Sequence, residues 1–390
     1  METVEKQSKT WLWVIMVVVL AGIIYLLATL GGGNTTTTNP TGVAADTSPI
    51  KIGASFPMTG EAASYGEAVA AAAQLAVKEV NDAGGINGRK IEFIIEDDTC
   101  TSKKGVNAIT KLAEIDKVVA MIGPVCSAAA GPGLPVAQKN NLPVVITTAS
   151  APNLTKIGDH IFRIYFSDAF QGKFAAEYIF NTLKKTKVAV LYVKNDWGQG
   201  INEVFVNRFK ELGGQVVFDE GVAQDIKDFR TLVTKLRAAK PDVVYTALYP
   251  ASGSAAIKQL KELAVNVPIV GGDAFDGEEI WRVKEAEGVL YTVAKTYDSP
   301  VFREKLNSFA GKEVYQSFAA FAYDAIKILA QVIGRVGTDH KAIIDELAKT
   351  VYKGAESMPV IEFGADREVK NVDFKVLIIK GGKSELYTEK

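Results

Sequence analysis

The sequence predicts an α/β protein with two lobes, each a parallel sheet flanked by helices. Short runs rich in Val and Ile alternate with amphipathic stretches along nearly the whole chain, which is typical of buried parallel strands joined by crossover helices. About 340 residues follow residue 49, more than one hydrophobic core usually holds. The alternation also breaks after residue 147, where residues 161–166 form an extended run without a full helix before them.

Each predicted strand is a short apolar run between turn residues, and each predicted helix is a longer stretch with apolar residues at helical spacing. The first helix ends at Gly84-Gly85, a glycine stop after an alanine-rich run. In chain order the strands are Ile50–Phe56, Ile91–Glu96, Val118–Ile122, Pro143–Thr147, Lys187–Val193, Gln215–Val222, Asp242–Leu248, Pro268–Gly271, Gly288–Ala294, Met358–Phe363 and Phe374–Ile379. The helices begin near Tyr65, Ser102, Ser127, Asp168, Trp197, Asp228, Ser254, Glu278, Val301, Gln316 and His340.

The N-terminal segment Trp11–Leu30 contains no charged residue and is long enough to cross a bilayer core of roughly 30 Å. Lys6 and Lys9 precede it, and the next Lys or Arg is Lys51, so the positive-inside rule places the N-terminus in the cytoplasm and exports the rest. A cleaved signal peptide is the alternative. We favour an uncleaved anchor, because the apolar region of a signal peptide is usually shorter and ends at a small-residue cleavage site.

Residues 31–49 are rich in Gly, Thr, Asn and Pro and hold few large apolar residues. Such a segment cannot bury a core, so we predict a flexible tether. Residues 1–49 would then comprise a cytoplasmic N-terminus, a transmembrane anchor (11–30) and a linker, with the folded part outside the cell membrane.

The charge and motif content narrow the class of function. The formal net charge is −1, which argues against a nucleic-acid partner, since such a partner calls for a basic surface. The sequence holds two histidines, His160 and His340, and no zinc-binding, phosphate-binding or nucleophile motif. Gly198-Gln199-Gly200 begins a dinucleotide fingerprint but lacks its third glycine. We therefore predict no enzyme activity, no cofactor and no metal.

Cys100 and Cys126 are the two cysteines of the chain, and each follows a predicted strand. Neighbouring parallel strands end at the same carboxyl edge, which is where open α/β sheets bind ligands. A cysteine pair there would be a catalytic redox pair in the cytosol or a structural disulfide outside it. The export signal favours the disulfide.

Several segments resemble the type I periplasmic substrate-binding proteins of ABC transporters, specifically the leucine/isoleucine/valine-binding branch. The resemblance runs from about residue 50 to near the C-terminus, and the Gly84–Lys90 turn (GGINGRK) in its context is its most specific piece. The matching segments are Ile52–Gly60, Tyr65-Gly66, Val80–Lys90, Glu96–Cys100, Ile122–Pro124, Asp196–Gly200 and Gly271–Phe275.

This resemblance implies a Cys100–Cys126 disulfide and two lobes joined by three crossings, with the ligand between them. We assign residues 50–167 and 297–357 to the N-terminal lobe and residues 168–296 and 358–390 to the C-terminal lobe. The protein would capture an amino acid, branched-chain or similar, by hinge closure and deliver it to an ABC permease. The predicted membrane anchor is a difference from the family's soluble periplasmic members, which diffuse freely.

An amino acid needs partners for a carboxylate and for an ammonium group. Hydroxyls and N–H groups at helix N-termini suit the carboxylate, and Ser127, Thr148, Ala149 and Ser150 occupy matching positions. The alternative for Ser127 and Ser150 is a plain capping or turn role. Asp273 matches the acidic position that faces the ammonium group, or it is a turn aspartate.

Three aromatic residues, Tyr65, Trp197 and Tyr249, match positions where rings close over the ligand in the family. Surface packing is the alternative for Trp197 and Tyr249, and Tyr65 equally suits the start of a helix.

Two other functions compete with transport. A membrane-anchored sensor of the same fold is weaker because about ten residues precede Trp11, and a two-lobed enzyme is disfavoured by the incomplete fingerprint.

Overall fold

The computed structural model describes residues 46–297, 299–314 and 316–388, and one compact unit begins at Thr47. The predicted anchor and linker (11–30 and 31–49) lie outside the described residues, apart from the last four linker positions. Among the described residues, no helix combines the length and the apolar character that crossing a bilayer requires.

The strands and helices alternate along the chain as the sequence predicts. The strands are β1 (Ile50–Phe56), β2 (Ile91–Asp97), β3 (Ala120–Ile122), β4 (Val144–Ile146), β5 (Ile161–Arg163), β6 (Lys187–Val193), β7 (Gln215–Val222), β8 (Val243–Ala247), β9 (Ile269–Gly271), β10 (Leu290–Ala294), β11 (Val351–Lys353), β12 (Val360–Glu362), β13 (Phe374–Lys380) and β14 (Lys383–Leu386). The helices are α1 (Ala63–Asp82), α2 (Ser102–Thr110), α3 (Ser127–Lys139), α4 (Asp168–Glu177), α5 (Asp196–Glu211), α6 (Arg230–Ala238), α7 (Pro250–Glu262), α8 (Glu278–Trp281), α9 (Pro300–Ala310), α10 (Ala319–Val336) and α11 (His340–Leu347).

The first sheet has five parallel strands in the order β2-β1-β3-β4-β5. Alternate side chains enter different cores, as the two-residue period of a strand requires. Ile52 and Phe56 share a core with α1 and α10, whereas Met121 and Val144 share another with α2 and α3. Helices therefore cover both faces, which is why these strands read as continuous apolar runs.

The second sheet has seven strands in the order β14-β13-β10-β9-β8-β6-β7. The strands from β10 to β7 are parallel, while β13 runs antiparallel to β10 and β14 antiparallel to β13. The β13–β14 turn contains Gly381 and Gly382 with φ of +56° and +74°, a left-handed conformation that glycine adopts without a steric penalty. The predicted two-lobed α/β fold is confirmed.

The chain passes between the sheets after β5, after β10 and before β13. Residues after β12 still contact the first sheet: the Phe363 and Phe162 ring centroids lie 5.2 Å apart, and Glu368 pairs with Arg163 at 2.6 Å. The sequence analysis began the second part of the C-terminal lobe at residue 358. These contacts indicate instead that the chain crosses to the C-terminal lobe closer to Phe374. Two short strands, β11 and β14, were not predicted, because neither carries a run of large apolar residues.

Candidate functional site

Loops at the carboxyl edges of the two sheets meet around a cavity of about 30 Å³. Its lining includes every predicted ligand-binding residue except Ala149, whose carbonyl accepts a hydrogen bond from Arg163 Nη1 at 3.2 Å. Four further residues line it that sequence reasoning missed. The full lining is Tyr65, Val125, Cys126, Ser127, Thr148, Ser150, Trp197, Tyr249, Asp273, Ala274 and Phe318.

Ser127 is the first residue of α3, five positions after the end of β3. Its Oγ accepts hydrogen bonds from the backbone N–H groups of Ser150 (3.2 Å) and Ala151 (3.1 Å). A hydroxyl has one hydrogen to donate besides its lone pairs, so the Ser127 hydrogen remains available to a ligand oxygen. Ser127 thus braces the neighbouring loop and also presents a donor at the cavity wall.

Ser150 is engaged differently. Its Oγ donates to Asp168 Oδ2 at 2.8 Å, and the backbone N–H of Asp168 donates to the Ser150 carbonyl at 2.8 Å. The hydroxyl hydrogen and the N–H of Ser150 are therefore both used within the protein, which leaves the Oγ lone pairs as an acceptor. Thr148 Oγ1 is buried and makes no hydrogen bond within the described residues.

Asp273 lies just after β9 and is 9% exposed. Its Oδ2 accepts a hydrogen bond from Tyr165 Oη at 3.0 Å, whereas its Oδ1 is buried and accepts none within the described residues. Burial raises the pKa of Asp273 to about 6. Such an oxygen is suited to a cationic or strong donor group of a ligand.

Asp168 is a second buried carboxylate beside this one, and sequence reasoning identified it only as the start of a helix. Burial, followed by repulsion from Asp273, raises the pKa of Asp168 well above its usual range. The neighbouring cation, Arg163, is already paired with Glu368 through Nε–Oε2 (2.7 Å) and Nη2–Oε1 (2.6 Å). A raised pKa favours the protonated, neutral form of Asp168, so the negative charge of the site near pH 7 lies on Asp273, whose pKa is about 6.

Aromatic rings close the cavity from both sides. Trp197 and Tyr249, which follow β6 and β8, are stacked with centroids 4.9 Å apart and an interplanar angle of 30°. Tyr65 in α1 meets Phe318 edge-on at 5.1 Å, and its hydroxyl donates to the carbonyl of Ala274 in the other lobe. The two lobes are thus in direct contact across the cavity.

Cys126 lines the cavity and is disulfide-bonded to Cys100, with Cα atoms 5.3 Å apart. The predicted disulfide is therefore confirmed. The bond ties the loop after β2 to the loop after β3, so it fixes two neighbouring parts of the carboxyl edge that bears the site.

Neither histidine is among the residues that line this cavity. His160 and His340 line one surface cleft of about 660 Å³, together with residues from the end of α3 and the start of α11. No cluster of three His, Cys, Asp or Glu side chains within the described part of the chain is arranged to hold a metal ion.

Two α/β lobes with a cavity between their carboxyl edges define the class of type I periplasmic binding proteins. The chain belongs to this family: the sequence profile described as "Periplasmic binding protein" matches residues 49–380. This is a family of substrate-binding proteins rather than of enzymes.

Individual relatives agree with this assignment. The chain is 32% identical over 343 residues to the Leu/Ile/Val-binding protein BraC3 of Rhizobium johnstonii, covering 86% of this chain and 92% of the relative. Among solved structures it is similar to the leucine-binding protein LivK of Thermotoga maritima, with a TM-score of 0.80 and 27% identity over 87% and 98% of the two chains. It is also similar to LivJ of Streptococcus pneumoniae in complex with isoleucine, with a TM-score of 0.78 and 30% identity over 86% and 98%.

Proposed function

We propose that this protein captures an amino acid with a branched-chain or similar apolar side chain and delivers it to an ABC permease. One observation carries the proposal: an unpaired hydroxyl donor from one lobe and a buried carboxylate from the other face the same apolar cavity. This pairing matches the two opposite charges of an amino acid. Similar proteins are named for binding leucine, isoleucine and valine, and one was solved in complex with isoleucine, which supports an apolar ligand side chain.

We assign the ligand contacts from the hydrogen bonds that the site already makes. Ser127 is free to donate to the ligand carboxylate, at the positive end of α3. Asp273 Oδ1 and the acceptor Oγ of Ser150 face the ammonium group. This moves Ser150 from the carboxylate half of the site, where sequence reasoning placed it, to the ammonium half. Val125 and Phe318 supply an apolar wall for the ligand side chain.

Binding proceeds by hinge closure. The cavity of about 30 Å³ is close to the share of liquid volume of a single water, so an amino acid enters only when the lobes separate. We divide the lobes at residues 167/168 and 296/297 and near residue 373, which places Tyr65 and Ser127 opposite Trp197 and Asp273. A ligand that contacts both sets favours the closed form, and closure reports occupancy to the permease.

A thermal-shift screen of residues 47–390 against the twenty amino acids tests the function. Leucine, isoleucine or valine should raise the melting temperature, since a ligand at 100 times its Kd stabilises by about 2.7 kcal/mol. Calorimetry on the best ligand gives its affinity. If no amino acid shifts the melting temperature, the proposed ligand class is wrong.

Ligand affinity should fall as the pH drops below about 6. The pKa of Asp273 is raised to about 6 in the protein, and a bound ammonium group would lower it, because the ionised carboxylate pairs with the cation. Binding then releases a proton at low pH, so the affinity is full above pH 6 and weakens by up to about tenfold per pH unit below it. Calorimetry from pH 5 to 8 measures this, and an Asp273→Asn variant should show a flatter profile. A parent affinity that is constant over this range would contradict the assignment.

We also propose that residues 11–30 anchor the protein in the cell membrane and that the following linker tethers the extracytoplasmic domain. The compact unit begins at Thr47 and the family match at residue 49, which supports a domain that folds without residues 1–31. Deleting residues 1–31 should therefore release a soluble protein that binds its ligand like the full chain. Fractionation and calorimetry of both forms check this. A truncated protein that aggregates, or that binds more weakly than the full chain, would refute the tether.

A further inference from the structure

The loop after β2 has an unusual backbone. Thr99 and Cys100 are consecutive non-glycine residues with φ of +48° and +57°. L-residues rarely adopt this left-handed region, and two in succession persist only where the surrounding structure holds them. Such segments are concentrated at ligand clamps and switch regions.

Three hydrogen bonds and a disulfide hold this loop in place. Asp97 Oδ1 accepts the N–H of Thr99 at 2.9 Å. Asp98 accepts the N–H of Cys100 on Oδ1 and the hydroxyl of Ser55 on Oδ2, both at 2.8 Å. The disulfide fixes Cys100 from its side chain. All of these contacts come from the loop's own lobe.

This loop presents its Cys100 carbonyl to the other lobe. Gln224, two residues beyond β7, donates to that oxygen from Nε2 at 3.3 Å. Its Oε1 accepts from Asn195 Nδ2 at 3.0 Å, which orients the amide so that the NH₂ group faces Cys100. Asn195 is itself fixed, because its Oδ1 caps α5 by accepting the N–H groups of Trp197 and Gly198.

We infer that Gln224 is a positioning residue for closure, which holds the lobes together through the Cys100 carbonyl without touching the ligand. Gln224 is not among the residues that line the cavity. The hydrogen bond joins two preformed surfaces, so little order has to be created when the lobes meet. This inference rests on the proposed function, since it concerns how tightly the captured amino acid is retained.

The test uses residues 47–390 with leucine as the probe and three variants. Gln224→Ala removes the donor of this hydrogen bond. Gln224→Glu keeps the side-chain size, but at pH 8 it places a carboxylate oxygen, which cannot donate, against the Cys100 carbonyl. Gln138→Ala is the matched control, since Gln138 bonds to Asp159 at 2.9 Å within one lobe. We expect Gln224→Ala to raise the Kd about 3- to 10-fold, chiefly through faster dissociation. Gln224→Glu should bind more weakly still, and Gln138→Ala should match the parent.

The melting temperature without ligand should be the same in the parent and Gln224→Ala, which separates closure from folding. A Gln224→Ala protein that binds like the parent overturns the inference, as does one whose affinity falls only together with its melting temperature. If the parent binds no amino acid, the proposed function fails, and small-angle scattering tests the inference separately. Gln224→Glu should then have a larger radius of gyration than Gln138→Ala, and equal radii overturn it.

Discussion

Replacing Asp273 by alanine should weaken amino-acid binding by about 2–5 kcal/mol. The Asp273 side chain is buried beside the cavity and offers an unpaired oxygen to the ligand ammonium group. Without it, the ammonium group would be enclosed in the closed site with no direct carboxylate partner. Asp168 lies deeper and already accepts the Ser150 hydroxyl, so it replaces Asp273 only in part. Calorimetry with the best ligand measures the loss.

Ser127→Ala should cost less, about 1–2 kcal/mol, because a neutral donor is lost while the backbone N–H groups of α3 remain. Asp345→Ala is a suitable control, since Asp345 forms an exposed ion pair with Lys341 on the surface of α11 and should leave binding unchanged. The order of the three losses is the decisive result. If Asp273→Ala binds as tightly as the parent, Asp273 is a turn residue and the ligand lacks an ammonium group.

Removing the disulfide should lower the free energy of unfolding by about 3 kcal/mol. The bond joins residues 26 positions apart, and cross-linking a loop of that size restricts the unfolded chain more than the folded one. Urea unfolding of a Cys100→Ala, Cys126→Ala double variant of residues 47–390 measures the loss. The parent under strong reducing conditions is the control and should show a similar decrease. Two thiols that titrate freely in unreduced, unfolded parent protein would contradict the bond.

Local sequence patterns predicted most of the fold, because a parallel strand that is buried on both faces appears in the sequence as a continuous apolar run. The apolar runs of β1 and β6 coincide with the structure for this reason. The strand β14 has no such record: Lys383–Leu386 pairs with β13 alone and is largely exposed. The strand β14 forms because β13 offers it hydrogen-bonding partners, and the side chains of β14 itself contribute little.

Part of the site follows from the same reasoning. Ser127 and Asp273 each lie within five residues of the end of a strand, and parallel strands deliver such residues to one edge. Phe318 carries no comparable signal, since it precedes a late helix and reaches the cavity only because α10 packs against α1 and β3. A contact of this kind depends on how whole helices pack, and residues that are far apart in the sequence give no local signal of it.

The sequence by itself determined the α/β class, the disulfide partners and the sheet edge that bears the candidate site, because strand burial and strand ends are properties of short segments. Only the tertiary structure decided which way the hydrogen bonds of the site run. Asp168 meets Ser150 because the first crossing returns the chain beside the loop after β4. That contact turns the Ser150 hydroxyl from a donor into an acceptor, and no local pattern records it, since hydrogen-bond direction depends on which partner the fold brings within 3 Å.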